Sequence, residues 1–293
     1  MKVIRAVFRR IKRLALRLLP LPVLQRLAPR PLIGVFYHSV SDEPMPHVEH
    51  LYPPLTATQF ENALLYLKQH YTLVGYDALH AHVFEGVPLP PNAANLTFDD
   101  GFVQCYTIVR PLLLKHEIPC TFFITTDWVD NQGVFYRNKT SLAIEKVASM
   151  ERDARSMVFT AINHAFDTHI KTAEAFNAWI KPLVRADEAT IDMVCKMLGI
   201  DAQETLATDP LYMTREQLLG MYADGFTLGS HTLTHPKLVQ VDKAEREREI
   251  VESSRVIQEI TGQAIVPFSF PYSGTGLDRD ELADLRARYP FPG

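Results

Sequence analysis

The stretch Leu96-Thr97-Phe98-Asp99-Asp100-Gly101-Phe102 places the strictest condition on the fold of this chain. An apolar, strand-like segment must deliver two adjacent carboxylates to its carboxyl end and then turn at once. Asn95 to Phe98 suits a short buried strand, and Gly101 permits the tight turn after it. In α/β folds this strand-to-helix corner lies where ligands bind, outside the carboxyl ends of the strands. Adjacent like charges repel, so either one carboxylate stays protonated or a cation holds both ionised, and a metal ion is the simplest such cation. A plain Asx-capped turn uses the same residue types with no ligand at all.

A second cluster lies far downstream. Ser230-His231-Thr232-Leu233-Thr234-His235-Pro236 follows the strand-like stretch Phe226 to Gly229 and sets two imidazoles four residues apart. A lone histidine at a strand end is ordinarily a hydrogen-bonded polar side chain. Two neutral imidazoles with one carboxylate instead make a three-ligand site whose open position is left for water, the arrangement of catalytic rather than structural zinc. The third piece is Phe268-Ser269-Phe270-Pro271-Tyr272-Ser273-Gly274, again at the end of an apolar run.

Taken in order, Thr97-Phe98-Asp99-Asp100-Gly101, His231-Thr232-Leu233-Thr234-His235 and Phe270-Pro271-Tyr272 resemble the motifs of the polysaccharide deacetylase family. That family includes chitooligosaccharide, chitin and peptidoglycan deacetylases and some acetylxylan esterases. The likeness runs from about Pro31 to the end of the chain. It implies an α/β fold, a distorted (β/α) barrel, and hydrolysis of N- or O-acetyl groups on an acetylated glycan. It also implies Asp99 as general base, Asp100, His231 and His235 as metal ligands, and the Tyr272 backbone N–H at the oxyanion. Zn²⁺ is the first expectation for the metal; Co²⁺, Mn²⁺, Fe²⁺ and Ni²⁺ suit the same donors.

Two features depart from the family pattern. An arginine that orients the base often stands two residues before the proline of the third motif, where this chain has Ser269. A further motif with a general-acid histidine normally follows, together with the closing strands, whereas this sequence ends at Tyr289-Pro290-Phe291-Pro292-Gly293. A barrel incomplete at its C-terminus is therefore expected. His38, which closes the first strand (Leu32 to His38), is the candidate to replace the missing acid, because an imidazole with a pKa near 6.5 suits protonation of a departing amine. The competing expectation is a catalytically silent, membrane-associated homologue that binds metal and glycan. Retention of Asp99 favours the enzyme, since a binding protein needs only the ligands.

The remaining organisation follows from charge and periodicity. Residues 1–30 carry nine basic and no acidic side chains, which against a total of −4 leaves −13 on residues 31–293. Ile4, Val7, Phe8, Ile11, Leu14, Ala15 and Leu18 recur at helical spacing opposite the basic residues, and proline-rich segments at Pro20-Leu21-Pro22 and Pro29-Arg30-Pro31 follow. No run reaches the roughly 18 uncharged residues of a membrane span, and the arginines interrupt the apolar region a signal peptide needs. The expectation is a cytoplasmic protein held peripherally on an anionic membrane surface through residues 1–19, without nucleic acid, which the acidic body would repel. A transit-like leader or a helix docked on a partner would have the same pattern.

From residue 31 to residue 293 a single deacetylase-like domain is expected, with strands and helices alternating as in a parallel sheet. Capping boxes are predicted at Thr214/Gln217 and Asp242/Glu245, a helix kinked at Pro111 over Phe102 to His116, and a sixth strand over Ile265 to Phe270. The stretch 138–211 lacks strand-like runs, and its length predicts a helical insertion rather than a structureless loop. Phe176 and Trp179 within it are read first as packing residues. Cys105, Cys120 and Cys195 have no metal-like spacing and read as buried small side chains.

Overall fold

The structure, a computed structural model, describes Val23 and residues 32–289. The basic amphipathic helix expected at residues 1–19 lies outside the described residues. Five strands, β1 (Leu32–Tyr37), β2 (Thr72–Leu73), β3 (Ala93–Phe98), β4 (Thr121–Ile124) and β5 (Thr227–Ser230), are all parallel. The main order is β1-β3-β4-β5, with β2 paired to the start of β3. β3 is the central strand, flanked on both edges and almost wholly buried, which is why it reads as a near-continuous apolar run rather than an alternating one.

Helices connect the strands in the βα manner. Helix α1 (Ala57–His70) begins at Thr56, whose hydroxyl accepts from the Gln59 N–H (3.1 Å) while the Gln59 side chain accepts from the Thr56 N–H (3.0 Å). It buries Phe60, Leu64 and Leu67 against the sheet. The short α2 (Tyr76–His80) precedes β3. After β3 the helix is not uniform: residues Cys105–Val109 form widened turns before α3 (Arg110–Lys115). Pro111 has no N–H to offer the Thr107 carbonyl, and the irregularity lies directly before it, where the sequence predicted a kink.

Between β4 and β5 the chain forms α4 (Tyr136–Ser149), α5 (Arg152–Phe166), α6 (Ala173–Ile180), α7 (Glu188–Met197) and α8 (Ala202–Thr208). Phe176 is fully buried and packs on Phe159 and Trp179. This cluster is continuous with Met45 and Val48 from the β1–α1 connection and with Phe102, Trp128 and Tyr212 beneath the sheet's carboxyl end. A second cluster, including Phe60, Leu96, Phe98, Phe122, Leu228 and Ile257, fills the space between the sheet and its flanking helices. All three cysteines are free and buried.

Helix α9 (Arg215–Ala223) starts with the full Thr214/Gln217 capping box. Helix α10 (Lys243–Thr261) has only half of its predicted one: the Asp242 carboxylate accepts from the Glu245 N–H, but the Glu245 side chain turns to Arg248 instead. Helix α11 (Arg279–Arg288) ends the described chain.

The predicted sixth strand contracts to isolated bridge residues at Val266 and Phe268; at the bridge between Phe268 and Ser230, the Ser230 N–H donates to the Pro267 carbonyl (2.7 Å) and the Ser269 N–H to the Ser230 carbonyl (3.0 Å). Pro267 and Pro271 supply no N–H, so the ladder cannot lengthen. The fold is thus the distorted (β/α) barrel that the motifs imply, and among the described residues its strands do not close into a ring. No helix among them is long and apolar enough to cross a membrane.

Gly229 is the tightest point of the sheet. A Cβ there would stand 2.6 Å from the Phe123 ring and 2.7 Å from the Pro267 carbonyl oxygen, the second a backbone atom that cannot rotate away. Gly229→Ala is expected to destabilise the protein by about 1–3 kcal/mol, the usual cost of overpacking. Urea unfolding monitored by circular dichroism measures this, and an unchanged midpoint would contradict the packing described.

Candidate active site

Asp99 and Asp100 sit just beyond β3, where the sequence places them. The Asp99 N–H still donates to the Tyr37 carbonyl (2.9 Å), which extends the pairing with β1 by one residue. Asp100 then takes φ 74°, and Gly101 follows at φ 87°, where a Cβ would stand 3.3 Å from the Ile124 side chain. The turn carries the Asp100 carboxylate into a buried position.

The histidine loop is held by the neighbouring strand. The His231 N–H donates to the Ile124 carbonyl (2.8 Å), and the Thr126 and Asp127 N–H groups donate to the Thr232 and Leu233 carbonyls (3.1 Å each). Thr232 at φ 70° and His235 at φ 59° then reverse the chain, helped by the Thr232 hydroxyl, which accepts from the His235 N–H (3.0 Å). Both imidazoles thereby converge on Asp100. The His235 Nε2 is 3.3 Å and the His231 Nε2 3.8 Å from Asp100 Oδ1.

One ligand atom from each of Asp100, His231 and His235 fits within 4.8 Å of the other two. The His231 Nδ1 lies 2.9 Å from the Ser269 carbonyl, to which it can only donate, so its Nε2 presents a lone pair to the site. Asp99 Oδ1, Asp100 Oδ1 and His235 Nδ1 are buried without a hydrogen-bond partner among the described residues. Orphaned acceptors concentrated in one spot, beside two like-charged carboxylates, fit a divalent cation better than an ion-free polar cluster.

The electrostatics agree with that fit. Burial pushes His231 down to about 4 and lowers His235 well below the usual histidine range, with His231 adding to the effect on its neighbour. Both imidazoles are therefore neutral, the form that binds metal. Burial raises Asp99 to about 7, and burial followed by the Asp99 charge raises Asp100 well above the ordinary carboxylate range. Two buried carboxylates side by side need a cation to ionise together.

The site opens into a cavity of about 770 Å³, which His38, Tyr52, Arg137, Lys181, Lys237 and Tyr272 line along with the acidic and histidine cluster. His38 is thus brought to the same cavity as the aspartates, its ring 5.0 Å from that of Tyr52, and burial lowers its pKa. Tyr272 takes φ 62° and stands with its ring 5.0 Å from His235. Its N–H makes no hydrogen bond to another described residue. Of the two histidines on the β1–α1 connection, His50 lines the cavity and pairs with Glu145 (2.9 Å), whereas His47 is buried against Phe102.

Two further residues at the candidate site were not singled out in the sequence. Tyr52 lines the cavity, its hydroxyl is buried without a partner, and burial followed by the nearby Asp100 charge raises its pKa. Glu249, in the middle of α10, is wholly buried and holds the histidine loop: the Leu233 and Thr234 N–H groups donate to its Oε2 (2.9 Å each), and the Thr234 hydroxyl donates to its Oε1. Arg248 and Arg185 stand 3.7 Å and 3.9 Å from the same carboxylate. Tyr52 carried no sequence signal. The only trace of Glu249 was a carboxylate that interrupts the apolar stripe of its helix.

A family model described as polysaccharide deacetylase matches residues 86–288. The chain belongs to the polysaccharide deacetylase family. Among solved structures, the Streptococcus pyogenes deacetylase PplD in complex with acetate is similar over 90% of this chain and 82% of that one, at 13% identity and TM-score 0.55. IcaB from Ammonifex degensii is similar over 88% of this chain and 80% of that one, at 16% identity and TM-score 0.52. A de-N-acetylase from Aggregatibacter actinomycetemcomitans is similar over 88% and 84%, at 16% identity and TM-score 0.50.

A search of curated protein sequences found no match. At these identities the structural likeness speaks for the fold, while the family model carries the membership. As a polysaccharide deacetylase the protein is a hydrolase acting on carbon–nitrogen bonds other than peptide bonds, and its class of reaction is carbohydrate deacetylation. The family is metal-dependent, and the buried Asp100, His231 and His235 could hold the ion.

If Glu249 fixes the loop between the two histidines, removing it should loosen metal binding before it unfolds the protein. Glu249→Ala is expected to weaken Zn²⁺ binding by about tenfold or more, as loss of supporting groups around metal ligands does. Competition against a chromophoric chelator measures the affinity, with thermal unfolding of the metal-free protein as the control. Unchanged affinity would show that the loop is held by its strand pairing alone.

Proposed function

We propose that this protein is a Zn²⁺-dependent N-deacetylase of an acetylated glycan, working at an anionic membrane surface. The observation that carries the metal part is the convergence of one carboxylate and two neutral imidazoles, within 4.8 Å of one another, beside a second, unpartnered carboxylate. A de-N-acetylase among the similar structures supports N- rather than O-deacetylation. When bound, the metal supplies Lewis acidity for activating water and polarising the acetyl carbonyl.

The chain's own residues divide the remaining work. Asp100, His231 and His235 hold the ion. Asp99 stands next to the cluster with a free Oδ1 and takes the proton of the attacking water, a task helped by burial, which makes its carboxylate more basic. The N–H of Tyr272, free of other partners among the described residues, donates to the developing oxyanion. His38 hands a proton to the departing amine from the side of the cavity closed by β1. Burial makes its protonated form scarcer at neutral pH, but a stronger acid once formed.

This division has a clear outcome. Asp100→Ala, His231→Ala and His235→Ala should each lose stoichiometric metal, while Asp99→Asn keeps the metal and loses acetate release by roughly 10²-fold or more. His38→Ala should slow hydrolysis of the acetamide more than that of an activated acetyl ester, whose leaving group needs no proton. Metal analysis and acetate assays on the purified variants check all five. Identical behaviour of Asp99→Asn and Asp100→Asn would remove the distinction between base and ligand.

The membrane reading rests on charge segregation: nine basic and no acidic residues up to residue 30, against −13 on the rest. Each basic side chain near an anionic surface contributes about 1 kcal/mol, and the attraction is screened by salt. Deleting residues 1–19 should release the protein from vesicles rich in phosphatidylserine and leave the circular dichroism of the body intact. Co-sedimentation with such vesicles tests it, and retention of the deleted form would refute the anchor.

A further inference from the structure

We propose that the cleft contains a subsite for an anionic sugar at the Tyr272 ring, formed by Arg137 and Lys237, so that the acetylated glycan carries a carboxylate or phosphate near the residue to be deacetylated. This rests on the deacetylase reading and adds the substrate class to it. Tyr272 is 47% exposed, and two cations sit over its ring: the Lys237 ammonium lies 5.1 Å and the Arg137 guanidinium 5.9 Å from its centroid. A half-exposed aromatic ring with cations at its face offers a sugar both an apolar contact and charge for an anionic substituent.

The second observation is that neither has a carboxylate partner among the described residues. Some described arginines and lysines meet carboxylates, as in Lys115–Glu61 (2.7 Å), Lys139–Asp192 (2.7 Å), Arg246–Glu281 (3.0 Å) and Arg288–Glu247 (2.6 Å), and others on the surface do not; what sets Arg137 and Lys237 apart is their shared place in the cleft beside the candidate metal site. Among the described residues neither Arg137 nor Lys237 has a carboxylate within ion-pair distance; Arg137 donates from Nε to the Tyr136 hydroxyl (3.0 Å). In a body of charge −13, two cations without a carboxylate, placed together in the cleft that holds the candidate metal site, suit an anionic ligand.

The surroundings add positive potential. Arg137 stands in the first turn of α4, which has no acidic residue and no capping side chain, so the guanidinium and the positive end of the helix face the same region. A helix of this length ordinarily gains from an acidic residue there. Arg137, Lys237 and Tyr272 also line a second cavity of about 490 Å³ as well as the 770 Å³ one, and therefore sit where the two join. Lys181 lines the first and Arg185 the second. The carboxylates of the first are Asp99 and Asp100, at the metal end; that of the second is Glu245, already paired with Arg248 (2.9 Å). A glycan running along this groove would meet cations on leaving the acetyl site.

The test uses the full-length, Zn²⁺-loaded protein and three soluble probes: a neutral N-acetylglucosamine tetrasaccharide, a tetrasaccharide alternating N-acetylglucosamine with glucuronate, and a phosphorylated N-acetylglucosamine oligomer. Isothermal titration should show at least one anionic probe binding about tenfold or more tighter than the neutral one, the scale of one charge-assisted hydrogen bond. The advantage should vanish between about 0.01 M and about 1 M salt, and in the double variant Arg137→Gln/Lys237→Gln. Whichever anionic probe wins identifies carboxylate or phosphate. Equal affinity for all three, or an advantage that survives the double variant, overturns the subsite. Acetate release from the same probes is measured separately. Selective binding without acetate from any probe would sink the deacetylase reading and leave the subsite standing, whereas acetate from all three with equal affinity would sink the subsite alone.

Discussion

A buried carboxylate beside a second carboxylate is unstable by itself, and the architecture around Asp100 is arranged to answer that. Desolvation and the Asp99 charge both disfavour its ionised form, and the two imidazoles that approach it are neutral, so neither offsets the charge. A divalent ion supplies what the side chains do not. The remainder of the structure keeps the three donors at a fixed separation: β3 delivers the carboxylates, the continuation of β4 binds His231 and Leu233 through backbone hydrogen bonds, and Glu249 holds Leu233 and Thr234 from below.

The same demand shows in the backbone. Asp100, Thr232, His235 and Tyr272 all have φ between 59° and 74°, a region that non-glycine side chains seldom occupy and that is least suited to a β-branched or bulky one. Left-handed conformation at four positions around one cavity indicates that tertiary contacts override local preference there. The Thr232 hydroxyl, which accepts from the His235 N–H, is one visible compensation.

What could be read from the sequence was what local chemistry determines. The Asp-Asp-Gly corner, the histidine pair and the Thr214 cap depend on residues close in sequence, and they stand where short-range patterns place them. Tyr52 and Glu249 were illegible because their environments come from elsewhere: Tyr52 meets the aspartates across the cavity, and Glu249 is buried only because α10 turns that face to the histidine loop. The Asp242/Glu245 box failed because Arg248, one turn along, competes for the Glu245 carboxylate. The strand predicted over Ile265 to Phe270 shrank because two prolines remove the donors a ladder requires.

The aromatic contacts between the helical stretch and the sheet bear on how such a protein can be altered. Phe102 stacks on Tyr212 at 5.4 Å, Tyr212 meets Trp128 at 5.0 Å, Trp128 meets Phe135 at 5.0 Å, and Phe135 touches His235 at 4.9 Å. The helices α4 to α8 thus share one hydrophobic interior with the ring of a candidate metal ligand. They are not a detachable module: transplanting them to another barrel would require Met45, Val48, Phe102 and Trp128 to travel with them, and trimming them would open to water the wall against which His235 rests. Variation in substrate preference is then easier at the rim, where Arg137, Lys181 and Lys237 face the groove, than in the body of the insertion.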